Sequence, residues 1–366
     1  MNIVYIVPEM SHPGGIGRVT AIKANHFAAT GNDVTIITEI QGKNSFYYEL
    51  NDNIKHYDIG LSECQNKILK FFIRIKRLKN LLENIKPNIV IYTYFVLPIH
   101  CSFQYVSILE CHFNHDVANL MAQAFNTSLV KAKYITKYYE YIASKADILV
   151  VLTDQDKKLW KDSCKKTNII RIPNMNSFSS EQTSKLNNKK AIAVGRLDAQ
   201  KGFDRLIAIW ARVYNEHKDW QLNIYGKGPD RKKLEDLINT YGLNNSVFIN
   251  DPVKNIRDKY IESSILCFTS TYEGWGLVIT EAMSCGLPVI AYDIPCGPKD
   301  IIENDYNGFL VRDNDIEKYV KYLSVLMDDK TKRESMGMTA FESAQKYNTN
   351  IVMKQWDNLL EQIKKK

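Results

Sequence analysis

Glu273 and Glu281 bracket a tight turn in the stretch Ser270-Thr271-Tyr272-Glu273-Gly274-Trp275-Gly276-Leu277-Val278-Ile279-Thr280-Glu281. An apolar run ends near Thr269 and a helical pattern begins near Gly276, so the turn joins a strand to a helix. The opening amides of such a helix, at Gly276, Leu277 and Val278, have no carbonyl partner inside it and suit an anion such as a phosphate. Glu281, about one turn into the helix, would accept hydrogen bonds from ribose hydroxyls, and Glu273 would face a sugar. The plainer reading is an acidic cap followed by a surface glutamate, and two carboxylates around one glycine-rich helix start argue against it.

Two further loops have the makings of a phosphate site. In Gly195-Arg196-Leu197-Asp198-Ala199-Gln200-Lys201-Gly202, Arg196 offers a planar fork and Lys201 a point charge, so the two would converge on a diphosphate. The competing reading is a salt-bridged loop with Asp198 and Asp204 as partners. In Pro13-Gly14-Gly15-Ile16-Gly17-Arg18, the bare backbone at Gly14 and Gly15 would approach an anion at a helix start. The alternative there is a glycine turn that merely packs helix against strand. The spacing is not a dinucleotide fingerprint, because Gly15-Ile16-Gly17 is followed by Arg18, Val19 and Thr20. An Asp-x-Asp metal pair is expected in no strand-end loop; Asp154-Gln155-Asp156 has the spacing but opens a helix, where capping accounts for it.

These residues need a frame, and the hydropathy pattern supplies one. Short β-type runs at 3–7, 34–38, 89–92, 106–109, 148–152 and 169–172 alternate with helical patterns at 16–29, 68–85, 116–144 and 154–161. A polar, breaker-rich linker is expected over 174–189. The alternation then restarts at 191–194, 221–225, 247–250, 265–269, 289–292 and 309–311. The expectation is an α/β protein with two doubly wound parallel sheets, ligands lying at the carboxyl ends of strands. The domains would be 1–173 and 190–349, with a last helix in 350–366 crossing back to the first.

Composition narrows the setting. With 366 residues, 45% of them apolar and 24% charged, the chain suits two globular domains. No apolar run approaches the ~20 residues of a membrane helix. Residues 1–9 lack a basic lead and are cut short by Pro8 and Glu9, so they read as a first strand rather than a signal peptide. Seven scattered cysteines suit reduced thiols in a cytoplasm. Of the net charge of +7, residues 1–173 hold most, with 21 Lys/Arg against 15 Asp/Glu. Lys67, Lys70, Arg74, Lys76, Arg77 and Lys79 interleave with Ile68, Phe71, Phe72, Ile75 and Leu78 as a basic amphipathic helix. It is either a surface helix with a solvated cationic face or a face for anionic lipid, which would place the protein peripherally on the inner face of a membrane. No nucleic-acid recognition motif accompanies the charge.

Glu273 and Glu281, with seven residues between them, resemble the EX7E motif of retaining GT-B glycosyltransferases, and the whole chain resembles the large group called glycosyltransferase family 4. The likeness includes Gly31-Asn32-Asp33-Val34 as a GHxV-like element, Arg171-Ile172-Pro173-Asn174, Tyr225-Gly226-Lys227-Gly228-Pro229 and Gly286-Leu287-Pro288-Val289. Pro295-Cys296-Gly297-Pro298 is similar to the form in polysaccharide-building members. The resemblance implies two Rossmann-like domains facing across a cleft and retaining, metal-independent transfer from a UDP-sugar, or a GDP-sugar, to a glycan or lipid-linked acceptor. It gives Arg196, Lys201 and the amides of Gly15, Leu277 and Val278 the donor diphosphate. Glu281 takes the ribose and Glu273 the donor sugar. His112, in Glu110-Cys111-His112-Phe113-Asn114, takes the family's sugar-facing histidine position, although Cys111 replaces the polar or acidic residue common before it. Without the resemblance His112 reads as a satisfied core or loop histidine. Three rival readings are a GT-B sugar-nucleotide epimerase, a Rossmann oxidoreductase, which the missing dinucleotide turn disfavours, and a non-catalytic nucleotide-binding partner in a polysaccharide assembly.

Overall fold

A computed structural model describes residues 1–62, 64–124, 127–178 and 182–365 of the chain. Residues 179–181 of the expected linker, and residues 125 and 126 of the expected helical stretch 116–144, lie outside these. By its packing the chain divides into two compact units. One comprises Met1–His115, Lys133–Ser177 and Val352–Lys366, the other Asp116–Ala132 and Phe178–Ile351.

The elements run β1 (Asn2–Val7), α1 (Gly15–Ala29), β2 (Asp33–Thr38), β3 (Lys55–Asp58), α2 (Lys67–Ile85), β4 (Ile89–Tyr92), β5 (Val106–Glu110), α3 (Val117–Ala124), α4 (Leu129–Ala143), β6 (Ile148–Val151), α5 (Asp154–Ser163) and β7 (Asn168–Arg171). Next come β8 (Lys190–Val194), α6 (Phe203–Val213), β9 (Gln221–Tyr225), α7 (Arg231–Thr240), β10 (Val247–Asn250), α8 (Ile256–Ile261), β11 (Ile265–Phe268) and α9 (Leu277–Ser284). The chain closes with β12 (Val289–Asp293), α10 (Pro298–Ile301), β13 (Gly308–Arg312), α11 (Ile316–Asp328), α12 (Lys330–Ala344) and α13 (Thr349–Lys364).

The first unit is built on a seven-stranded sheet of order β3-β2-β1-β4-β5-β6-β7, the second on a six-stranded sheet of order β10-β9-β8-β11-β12-β13. Every pairing in both is parallel. Parallel strands are covered on both faces, which is why they are near-continuous apolar runs. Ile3, Val4, Tyr5 and Ile6 of β1 and Ile265 and Leu266 of β11 are sealed from solvent. Both are doubly wound, Rossmann-like sheets. The first reverses direction between β1 and β4, the second between β8 and β11. At such a point the loops leaving neighbouring strands part to opposite faces and open a crevice at their carboxyl ends.

Helices close the layers. On α6 the residues Leu206, Ile207, Ile209, Trp210 and Val213 are buried, and on α2 only Leu78 and Leu82 are. Burying one such side chain contributes about 1.5–3 kcal/mol before its entropy cost. One strand escapes the pattern and one expectation needs correction. β3, Lys55-His56-Tyr57-Asp58, is a polar edge strand with no alternation to betray it. Helix α5 is capped by Thr153, whose hydroxyl accepts from the Asp156 amide, and not by the Asp154 of the Asp-x-Asp spacing. Asp156 is buried instead, accepting from the amide of His115 at 2.7 Å and the indole of Trp160 at 3.1 Å.

Candidate functional site

In the second unit, the loops leaving β8 and β11 are neighbours because their strands are. They are also laced together. The Thr271 amide and hydroxyl both donate to the Gln200 carbonyl, at 2.7 and 3.1 Å, and the Gln200 side chain donates to the Tyr272 carbonyl at 3.0 Å. The Thr269 hydroxyl donates to the Lys201 carbonyl at 3.1 Å. Gly202 makes this approach possible, since a Cβ there would stand 2.4 Å from the Thr269 carbonyl oxygen. Its φ of +60° also suits glycine at the start of α6.

That lacing brings Lys201 against Glu273. The ammonium lies 2.5 Å from the Glu273 carboxylate, with both side chains mostly but not fully enclosed (18% and 11% exposed). Arg196 is paired with Asp198, as the salt-bridged reading expected, but its side chain is 64% exposed. Asp204 does not take Lys201; it pairs with Lys233 at 3.0 Å. A lysine ammonium has three donors and a guanidinium five, so both cations keep donors for a second anion. Tyr272 sits in the same loop, its hydroxyl pushed up to about 12 by burial and by the charge of Asp198.

Gly276, at φ +94°, starts α9 with no side-chain cap. The amides of Leu277 and Val278 therefore open the helix at the carboxyl end of β11, where the positive end of the helix favours an anion. Glu281 is only 2% exposed and accepts from the Tyr260 hydroxyl at 3.2 Å. It is a held carboxylate rather than a surface one.

In the first unit, Gly14 precedes α1 in extended backbone and Gly15 opens the helix. The Gly14 amide and the Arg18 guanidinium both donate to the Tyr48 hydroxyl, each at 3.2 Å. Tyr48 is thus the oxygen that meets this helix start. His112 follows β5 and is buried, its Nε2 lying 3.0 Å from the Glu110 carboxylate. Glu110 is also the partner of Lys23 on α1. Burial acts to raise the Glu110 carboxyl, but Lys23 and His112 outweigh it and hold it at about 2.

Sequence reasoning passed over the residues that hold these groups in place. Gln200 and Thr271 lace the loops, Tyr260 anchors Glu281, and Lys23 with Glu110 flanks His112. Lys23 carried a signal, since it stands amid Thr20, Ala21, Ala24 and Phe27 on the buried side of α1.

Helix α2 also departs from expectation. Arg74 pairs with the buried Glu39, and Arg77, although exposed, donates to the carbonyls of Ile59 and Gly60, so both are tied to the body of the unit. Ile68, Leu69, Phe71 and Phe72 are exposed, Ile68 to 72% and Phe72 to 62%. Among the described residues, no helix is long and apolar enough to cross a membrane.

Comparisons with known proteins agree with this architecture. Residues 175–343, which contain both laced loops, match the family described as Glycosyl transferases group 1. Over 98% of its length the chain is 27% identical to an uncharacterized glycosyltransferase of Haemophilus influenzae, covering 99% of that protein. It is 26% identical to the amylovoran biosynthesis glycosyltransferase AmsD of Erwinia amylovora, with 98% and 99% covered. A crystal structure of a TarM variant of S. aureus, in complex with fondaparinux, alpha-GlcNAc-glycerol and UDP, superposes with a TM-score of 0.79. It is 17% identical, with 98% of this chain and 99% of TarM covered, and its likeness speaks for the fold. The two doubly wound units, the match over 175–343 and the relatives along the whole length together support a glycosyltransferase of the GT-B fold.

Proposed function

We propose that the chain is a retaining, metal-independent glycosyltransferase of the family 4 type, moving a sugar from a UDP-sugar, with a GDP-sugar the alternative, to a glycan or lipid-linked acceptor in surface-polysaccharide synthesis. The observation that carries this is the Lys201–Glu273 pair on laced loops at the reversal between β8 and β11. There Lys201, Arg196 and the Leu277 and Val278 amides would hold the donor diphosphate. Glu273, oriented by Lys201, would take hydroxyls of the donor sugar. Glu281, oriented by Tyr260, would take the ribose. In the first unit, Gly14 and Gly15 are assigned to the diphosphate and His112 to the sugar.

In such a reaction the bond from the anomeric carbon to the diphosphate oxygen breaks and the acceptor oxygen bonds to that carbon on the same face. The acceptor's proton passes to the departing phosphate. Charge gathers on the leaving group as the sugar becomes oxocarbenium-like, and preorganised cations and amides stabilise it without reorganising. This is the part a divalent ion plays elsewhere. UDP is preferred because TarM was solved with UDP bound. The test is slow hydrolysis of UDP-, GDP- and ADP-sugars by the purified protein in excess EDTA. UDP-sugars should be cleaved fastest and chelator should not matter. Activity that vanishes with EDTA and returns with magnesium or manganese would contradict the reading.

The acceptor side of the proposal is an anionic membrane surface met by α2. Exposed Ile68, Leu69, Phe71 and Phe72 beside Lys67, Lys70, Lys76 and Lys79 fit an anionic leaflet. Because Arg74 and Arg77 are tied to the body of the unit, the informative substitutions are Lys67→Glu, Lys70→Glu and Phe72→Ser. Together they should abolish salt-sensitive binding to anionic vesicles and leave donor hydrolysis intact; unchanged sedimentation would leave α2 a solvated face.

A further inference from the structure

Glu110 is a buried carboxylate at the end of β5, and what surrounds it bears on His112 rather than on stability alone. Its Oε2 accepts from Lys23 and lies 3.0 Å from His112 Nε2, while among the described residues Oε1 meets no hydrogen-bond donor. The Glu110 and His112 side chains are 3% and 4% exposed. Lys23, 1% exposed, lies over the rings of Trp356, at 4.5 Å, and Tyr5, at 5.8 Å. The Tyr5 hydroxyl is buried too and stays neutral, its titration pushed far up by burial and by Glu110.

Two features fix the imidazole. The His112–Glu110 contact is short but off the best hydrogen-bond line, and among the described residues no other partner reaches Nε2. An Nε2 lone pair 3.0 Å from the carboxylate oxygen would be repelled by its charge even off the best line, so the proton belongs on Nε2. In the neutral ring the remaining lone pair then sits on Nδ1. We infer that Glu110, itself held by Lys23, is a positioning residue that fixes His112 as the neutral Nε2–H tautomer, leaving Nδ1 as an acceptor for a hydroxyl donor. Resting on the proposed function, that hydroxyl belongs to the donor sugar. Glu110 thus selects what His112 recognises, a hydroxyl rather than a phosphate or a carbonyl.

The tautomer can be read without any substrate, so this inference and the proposed function fail separately. The full chain, labelled with ¹⁵N-histidine and free of nucleotide, is observed by NMR near neutral pH, with His112→Asn identifying the His112 resonances. The expected result is a neutral ring with the proton on Nε2. Two double variants then separate positioning from packing, since both remove the buried charges at similar volume. Lys23→Met with Glu110→Gln keeps an acceptor beside Nε2 and should keep the tautomer. Lys23→Met with Glu110→Met removes the acceptor and should give a mixture of tautomers. A proton on Nδ1 in the unaltered protein, a doubly protonated ring, or an unchanged tautomer in the Met/Met variant would overturn the inference.

Discussion

Each unit holds a lysine–glutamate pair at the carboxyl end of its sheet, and the two pairs do different work. Lys23–Glu110 is sealed, at 1% and 3% exposure, under the ring of Trp356. Lys201–Glu273 is left partly open, at 18% and 11%, with the mostly exposed Arg196 in the same loop. In the sealed pair each charge depends on the other, because neither can return to water. In the open pair the ammonium can keep its carboxylate and still turn spare donors to an anion. Burial, rather than residue type, separates a pair that shapes a neighbour from a pair that can bind.

The largest difference should be in stability. Glu110→Ala or Lys23→Ala strands a buried charge and should cost about 3–5 kcal/mol, whereas Lys201→Ala should cost on the order of 1 kcal/mol, because Glu273 keeps some contact with water. Urea titrations monitored by circular dichroism check this, and equal losses at the two sites would erase the distinction. The sealed pair also has a pH signature. The Glu110 carboxyl is depressed from an ordinary 4.5 to about 2. A depressed carboxyl contributes stability that is present above the unfolded value and is lost as pH falls through the folded one. Acid destabilisation between about pH 4.5 and 2 should therefore weaken in the variant that replaces both Lys23 and Glu110 with Met.

Next comes turnover. Arg196→Ala and Lys201→Ala should each lower donor hydrolysis about 100-fold, on the scale of losing one preorganised donor to a developing oxyanion, with the fold retained. Near-normal rates in both would remove the open pair from the chemistry. The smallest effect separates the two glutamates of the second unit. Glu281→Ala should weaken UDP binding severalfold, whereas Glu273→Ala should spare UDP and depress hydrolysis, because ribose contacts are uniform and sugar contacts tighten as the bond breaks. Equal losses of UDP affinity would mean the two roles are assigned wrongly.

Most of the fold was legible because parallel strands buried on both faces leave apolar runs. β9 and β10 fall on the expected residues, and β11 and β12 differ by one. The misses share a cause. β3 is polar because an edge strand has water on one side, and the stretch 116–144 divides into α3 and α4 where periodicity alone reads one helix. Arg196, Lys201, Glu273 and Glu281 were legible from loop position and spacing. The partners Asp198, Tyr260 and Glu110 depend on which side chains three-dimensional packing brings together. In α2 the same limit worked the other way. Periodicity distinguished cations from apolar residues but not Arg74, which reaches Glu39, from Lys70, which pairs with no acid among the described residues.

The central claim is that the open pair and its loop form the donor diphosphate site, and nucleotide affinity tests it most directly. Calorimetric titration with UDP and GDP would compare the unaltered chain with the Arg196→Ala, Lys201→Ala double variant. Charge-assisted hydrogen bonds are worth about 1.5–3 kcal/mol each, so the double variant should lose at least tenfold in UDP affinity while melting as a folded protein. UDP and GDP both failing to bind the unaltered chain, or UDP binding equally to both proteins, would contradict the account.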